Sequence, residues 1–511
     1  MNWKLIITLG LSVIFILFFV SPDSYIYDLY AHVDSSIFFI YGKAWMNGMI
    51  PYTDFTEPKG PLLFLIYGIG YLMSHYDCIG VFWISCVFYL GVYINTYRLA
   101  GVFKSDSRYQ LTITILMSLA WFNPFVHYEI KTEDFAQYFF VLVLYYTCLL
   151  LYRDEETKLN SASFCFGVSF GALFLLKFNL AGMIGILGLY ILYYAFIKNR
   201  FFHSLSYIAC GMVVICLPFF LYFSIYGNGV GTFISEYFGT TFALVDATGI
   251  QEPLIFRMLS FIMRPAPVIV LVVTLLGIVL YSNKLSRFKY FPVIAFSYFY
   301  FIASIYGLSY YYYSTSAMFC IFFFMWLLNH FESNVLNSKS HMMMVNISVI
   351  VVVCGINLAR SFINQELHTL FFQDTITRKD FYTYAYLMSQ VERPTWFTYC
   401  YPSGQDMPSG AVPSFRTLGV LPGEKSKIIL ARNEMLINKE VDFITIAKSN
   451  EEMVKELEIL GYYRYQTNTN PNVLFSKYQL QMPPKDFHVS NLDILFKRNV
   501  MSGVKKMKKV D

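Results

Sequence analysis

Long apolar runs separated by short polar connections dominate the first 361 positions of the chain. An α-helix needs about 20 apolar residues to cross the roughly 30 Å hydrocarbon core of a bilayer. About eleven runs fit, beginning near Leu5, Ile79, Tyr109, Asp134, Ser161, Leu180, Leu205, Pro265, Tyr290, Tyr310 and Met342. The first could pass for a signal-peptide core, but Phe19-Val-Ser-Pro22 stands where a small-x-small cleavage site belongs, so it reads as an uncleaved anchor. Two stretches interrupt the pattern. Loop 21–78 contains Pro61 to Met73, apolar but too short to span and suited to an interfacial or re-entrant helix. Loop 227–264 carries Phe233, Tyr237 and Phe238 at the spacing of a short amphipathic helix. After residue 361 the runs give way to alternations. Val441 to Ile446, Tyr462 to Gln466 and Val473 to Leu480 are predicted strands, Ser449-Asn-Glu-Glu452 a capping box, and Gly461 a helix stop.

Composition agrees with the pattern. The chain is 56% hydrophobic and 19% aromatic, its charged share is 14% against about 25% in soluble chains, and its mean hydropathy is +0.49. These values exclude a purely soluble enzyme and a nucleic-acid binder. Lys and Arg set the expected orientation. With the N-terminus cytoplasmic, Lys4, Arg98, Lys104, Arg153, Lys198, Arg200 and Lys284 lie with others on the inner side, while the outer loops hold only Lys43, Lys59, Lys131, Arg257 and Arg264. The last 150 residues hold half of the 38 Lys and Arg and are expected outside the membrane. The expectation is a polytopic α-helical membrane protein of the plasma membrane with about eleven spans (1–361) and a small extracytoplasmic α/β domain (362–511). Most cysteines, among them Cys86, Cys148, Cys165 and Cys354, sit in apolar runs without a CxxC pair and read as small core residues.

Candidate chemistry concentrates in the first loop, in His32-Val-Asp34-Ser-Ser and in Asn47-Gly-Met-Ile-Pro-Tyr-Thr-Asp54-Phe-Thr-Glu57-Pro-Lys59-Gly-Pro61. At head-group depth an aspartate can accept a proton from a hydroxyl, and a lysine can neutralise a phosphate. Blander readings compete. Asp34 before Ser-Ser also suits a helix N-cap, and Glu57 with Lys59 suits an exposed pair worth under about 1 kcal/mol. Elsewhere, Glu133 and Asp134 stand at the outer start of a span, where the helix dipole alone favours acids. Lys177 lies within an apolar stretch, where an unpartnered lysine costs about 2.5–3.5 kcal/mol unless it snorkels or meets an anion. Tyr310 to Tyr313 fit an aromatic belt or a sugar-stacking surface. Arg264, His127 and Tyr128 are weaker candidates on the same side. No His/Asp/Glu cluster has metal-ligand spacing, and no P-loop or Rossmann fingerprint suggests a nucleotide donor.

The arrangement Asp34-x3-Phe, then Asn-Gly-x-x-Pro-Tyr-x-Asp, then Lys59-Gly-Pro-Leu-Leu between the first two spans resembles the first outer loop of GT-C membrane glycosyltransferases. Bacterial relatives of protein O-mannosyltransferases and of lipid A aminoarabinose transferases are the nearest in kind. The resemblance covers roughly residues 1–360 and implies a GT-C bundle and a polyprenyl-phosphate-linked sugar donor, with a lipid, glycan or protein acceptor hydroxyl. It implies no resident cofactor, and the sequence does not support a divalent cation. Carried over, Asp34 is the expected catalytic acidic residue, a general base toward the acceptor hydroxyl, with a second acidic position at Glu133 or Asp134. Lys59, Lys177 and Arg264 are expected to face the donor phosphate, and Glu57, Tyr310 and Tyr313 the substrate. The implied transfer, of a hexosyl or pentosyl unit with inversion, belongs to cell-envelope glycan or glycolipid assembly. Two rivals stay open, a lipid or solute transporter and a glycan polymerase or ligase of another membrane family. Transporters usually place polar groups near the midplane on broken helices.

Overall fold

The computed structural model describes residues 3–27, 33–55, 57–75, 77–122, 132–247, 272–274, 276–277, 310–331, 339–363, 383–392, 394–398, 411–414, 433–467 and 472–483. Among them, seven helices are long and apolar enough to cross a membrane. Helices α1 (Trp3–Val20), α2 (Val33–Met46), α3 (Pro61–Met73) and α4 (Ile79–Phe103) are followed by α5 (Ser107–Leu116), α6 (Ser118–Trp121) and α7 (Thr132–Arg153). Then come α8 (Leu159–Leu176), α9 (Phe178–Ile197), α10 (Phe201–Tyr226), α11 (Val230–Ala247), α12 (Cys320–Phe331) and α13 (Lys339–Ile363). The chain is a polytopic helical membrane protein with a small C-terminal sheet. The run expected from Tyr109 folds as α5 and α6, joined at Met117, and the run from Tyr310 as a 3-10 helix over Tyr310–Phe319 leading into α12. The runs expected from Pro265 and Tyr290 lie outside the described residues, apart from a few helical positions at 272–277.

Two compact units partition the chain. The first comprises Met1–Ser24, Trp83–Tyr222 and Gln251–Gln365. Its spans differ in burial: 72% of the apolar window of α7 is covered by protein, against 28% in α1, α10 and α13. Helix α7 is therefore a central span. The peripheral helices leave Leu11, Val214, Leu221 and Val351 exposed, as lipid-facing surfaces require. Helices α7, α8 and α9 pack on one another in up-down order. One end of this set carries the start of α7 and the α8–α9 break. At the opposite end Arg153 donates to the carbonyls of Val102 (2.9 Å) and Gly101 (2.8 Å), and Lys198 pairs with Asp154 at 3.2 Å.

The second unit comprises Tyr25–Phe82, Phe223–Ile250 and Glu366–Asp511. Pro61 at N1 behind the Gly60 cap starts α3, which matches the short helix expected from the sequence. Helices α2 and α3 approach so closely that a Cβ on Gly42 would lie 2.5 Å from the Gly68 nitrogen. Gly42→Val is therefore expected to destabilise this unit by more than the roughly 1–3 kcal/mol of ordinary overpacking, because backbone must move, and a lowered unfolding midpoint would register it.

The C-terminal sheet has the order β2-β1-β3-β5-β4. Its strands are β1 (Thr395–Thr398), β2 (Val412–Pro413), β3 (Phe443–Ala447), β4 (Tyr463–Tyr465) and β5 (Asn472–Ser476). The pairs β1–β2 and β1–β3 are parallel, and β5 pairs antiparallel with both β3 and β4. Helix α14 (Glu451–Ile459) buries Val454 and Leu457 with Ile444, Ile446, Val473 and Phe475 of the sheet. Its cap is Asn450, whose side chain accepts from Met453 N, one residue later than the expected Ser449, and Gly461 ends the segment at φ +77°. Asp442 accepts from Thr395 N and Oγ1, both at 2.8 Å, and from Tyr478 at 3.0 Å, and pairs with Lys477 at 2.8 Å. Burial and then the Asp442 charge push the Tyr478 phenol up to about 12, so Tyr478 stays a donor.

Candidate active site

In the second unit the first loop is built around Tyr52. Residues Ile50 to Phe55 form a tight turn in which the Asp54 carboxylate accepts from Ile50 N at 2.6 Å and Tyr52 N donates to Phe55 O at 2.6 Å. Tyr52 adopts φ +64°, a left-handed conformation uncommon for a side chain of this size. It is compensated by packing: the ring lies against Phe233 (5.0 Å) and Tyr237 (5.7 Å) of α11 and against Phe223 (5.8 Å). The aromatic face expected of loop 227–264 is thus spent on holding the first loop. Burial above all, with Tyr237 and Glu57 adding to it, raises the Tyr52 phenol well above its usual range. The protonated hydroxyl donates to the Lys59 carbonyl at 2.5 Å. Asn47 and Gly48 serve the same architecture: Asn47 Nδ2 donates to Lys43 O at 2.8 Å, and Gly48 takes φ +95°.

Asp34 and Lys59 remain. Asp34 is the second residue of α2, inside its first turn and therefore past the N-cap position that the sequence also allowed. Half-buried, its carboxylate has no hydrogen bond or ion pair among the described residues. Phe38 lies one turn further along the same helix face. The Lys59 ammonium sits 5.4 Å from the Phe38 ring centroid and 3.7 Å from Glu57. Glu57 and Lys59 are not the exposed pair the loop suggested, since their side chains are only 13% and 16% accessible. The fold therefore brings an uncommitted acid and a sheltered cation to one face of α2.

The first unit holds the other acids. Glu133 and Asp134 occupy the first turn of the central helix α7, and both are buried. The backbone extends at Lys177 (φ −169°, ψ 109°), which separates α8 from α9. Lys177 Nζ bonds Glu133 Oε1 at 3.0 Å with side-chain accessibilities of 10% and 4%, so the ammonium is paired inside the protein. Asp134 accepts from Tyr89 at 2.6 Å. The two adjacent acids thus have separate partners. Thr132 Oγ1, one residue before Glu133, and Asn179 Oδ1, two after Lys177, are buried with no hydrogen-bond partner among the described residues. Such oxygens are uncommon unless a ligand or water completes them. Nothing in the sequence marks Tyr89 or Thr132, because a tyrosine mid-span and a threonine at a helix start are ordinary there.

Tyr310 and Tyr313 fall in the 3-10 helix ahead of α12, while Arg264, His127, Tyr128, His32 and Lys131 lie outside the described residues. No group of three or more His, Cys, Asp or Glu among the described residues is placed to hold a metal ion.

With this geometry in place, likeness to solved structures defines the class of fold as GT-C. The chain is similar to the lipid A aminoarabinose transferase ArnT from Cupriavidus metallidurans in its crystal structure bound to undecaprenyl phosphate, at 13% identity and a TM-score of 0.61. The match covers 95% of this chain and 100% of that one. Apo ArnT gives 11% identity and a TM-score of 0.59 over 93% of this chain and 97% of that one. The Archaeoglobus fulgidus oligosaccharyltransferase in its apo form follows at a TM-score of 0.45 and 10% identity, over 95% of this chain and 75% of its own. No protein-family model and no curated protein sequence matches the chain.

Proposed function

We propose that this protein is a membrane glycosyltransferase that moves a sugar from a polyprenyl-phosphate carrier to an acceptor hydroxyl at the outer face of the plasma membrane. The observation that carries the reading is the uncommitted Asp34 carboxylate on the same face of α2 as the sheltered Lys59 ammonium. The fold supports it, because a structure of like architecture was solved with undecaprenyl phosphate bound. A shared fold does not by itself fix chemistry, so the weight rests on these two residues.

In the proposed reaction the acceptor hydroxyl gives its proton to Asp34 as its oxygen attacks the anomeric carbon. The bond from that carbon to the phosphate oxygen breaks, its electron pair stays with the phosphate, and Lys59 neutralises the new charge. Attack opposite the leaving group inverts the anomeric centre. Glu57 holds Lys59 in the free enzyme and contacts substrate when the phosphate competes for the lysine. Within the first unit, Lys177 is assigned to a phosphate on the pattern of the sequence, with Glu133 balancing its charge, and the Thr132 and Asn179 oxygens have no hydrogen-bond partner among the described residues. Arg264 is assigned to the donor phosphate and Tyr310 and Tyr313 to substrate on the pattern of the sequence. Residues 362–511 are assigned to the outer side, and the acceptor is a lipid, a glycan or a protein.

Lys59→Gln tests the phosphate role. With a panel of polyprenyl-phosphate sugars and a membrane lipid extract as acceptor source, wild type is expected to release free polyprenyl phosphate. The variant should lose about tenfold or more in kcat/KM, as expected for one charged hydrogen bond. Wild-type kinetics in that variant would remove Lys59 from the site.

A further inference from the structure

At the end of the first unit away from Glu133 and Lys177, the turn between α9 and α10 borders a cavity of about 650 Å³ lined by Asn160, Phe196, Asn199, Arg200, Phe202 and His203 among others. The reaction proposed above uses none of these residues. We propose that this cavity binds the head group of an anionic glycerophospholipid, its phosphate held by Arg200, His203 and the N-terminus of α10.

Three observations support the site. The first is uncommitted donors. Arg200 Nε lies 3.5 Å from Glu156, while its two terminal nitrogens, the His203 ring nitrogens and the Asn199 side-chain amide make no hydrogen bond among the described residues. The Arg200 carbonyl accepts from Ser204 N at 2.9 Å, so the amides of Phe201, Phe202 and His203 precede the first intrahelical bond and have no acceptor there. Free amides at the start of a 26-residue helix beside a guanidinium suit a phosphate. The acids nearby do not fill this role: Asp154 and Glu156 lie 3.2 and 3.9 Å from Lys198, and Glu156 is shared with Arg200.

The second observation is an apolar rim. Phe202 is 81% exposed and Phe196 67%, with Ile197, Tyr193 and Leu205 also exposed where two apolar spans end. Free phosphate has no use for such a surface, whereas acyl chains cover it. The third is Asn160, a half-buried residue of the cavity lining whose Oδ1 has no hydrogen-bond partner among the described residues. It suits a head-group hydroxyl donor, which points to phosphatidylglycerol-like lipids over choline lipids.

Native mass spectrometry of the full chain in neutral detergent, titrated with phosphatidylglycerol, phosphatidylcholine or inorganic phosphate, tests the proposal. Wild type is expected to retain phosphatidylglycerol over phosphatidylcholine. The exposed double substitution Arg200→Gln with His203→Gln should weaken phosphatidylglycerol by about tenfold or more. Phe202→Gln should weaken the lipid as well, while Lys104→Gln, which removes a cation at the same end of the helices, should leave affinity unchanged. An unaltered double variant, or an equal loss with Lys104→Gln, would overturn the site. Arg200-dependent binding of inorganic phosphate without binding of phosphatidylglycerol would overturn its assignment to a lipid.

Discussion

Asp34→Asn is expected to lower kcat by about 10²–10⁴-fold, the usual worth of a positioned general base, while the protein stays folded and still binds a polyprenyl phosphate. The expectation of an intact fold follows from the structure. Asp34 makes no hydrogen bond or ion pair among the described residues, so the isosteric amide breaks no such bond. It removes only the capacity to accept a proton. The helix dipole favours an acid in the first turn of α2, but that effect is worth typically about 0.3–1 kcal/mol and would cost little stability. Binding of the lipid phosphate with collapsed turnover would place Asp34 in the chemical step. A variant that turns over normally would make Asp34 a helix-end acid and nothing more.

The second large effect is expected at Lys177. Lys177→Met leaves Glu133 as a buried carboxylate without its cation, and breaking such a pair costs about 3–5 kcal/mol, a large share of the stability of any fold. The unfolding midpoint should fall sharply. Adding Glu133→Gln removes the stranded charge, so the double variant should regain most of that loss. The two readouts then separate the roles. If the pair only fixes the junction of α7, α8 and α9, the double variant recovers turnover along with stability. If Lys177 also meets a phosphate, stability returns and turnover does not, which is the outcome expected here.

The bundle was legible in the sequence because a membrane makes length and apolarity nearly sufficient. The apolar runs beginning at Ile79, Ser161 and Leu180 became α4, α8 and α9, and Pro61 to Met73 became a helix with those limits. Less legible was the division of labour inside the first loop. Asn47, Gly48, Tyr52 and Asp54 form part of the pattern that resembles GT-C enzymes, yet in this structure they shape a turn. Tyr52 in particular is fixed by Phe223, Phe233 and Tyr237, about 170–185 positions away in sequence, a contact no local pattern reveals. Nor did the sequence disclose that Glu133 pairs with Lys177 and Asp134 with Tyr89, since those pairs depend on how α4, α7 and the α8–α9 break meet. Ser449 shows the limit at small scale: Ser and Asn cap equally well, so the choice of Asn450 rested on chain geometry beyond the motif.

Group transfer by this protein is tested most directly by a two-label count in proteoliposomes. The donor carries one label in the sugar and another in the polyprenyl chain, an acceptor extract is supplied, and products and leaflets are resolved together. One labelled sugar joined to acceptor for each free polyprenyl phosphate released, with none from Asp34→Asn, is the result this account requires. Both labels crossing the bilayer still joined, at the same rate with or without acceptor, would contradict it and make the protein a carrier.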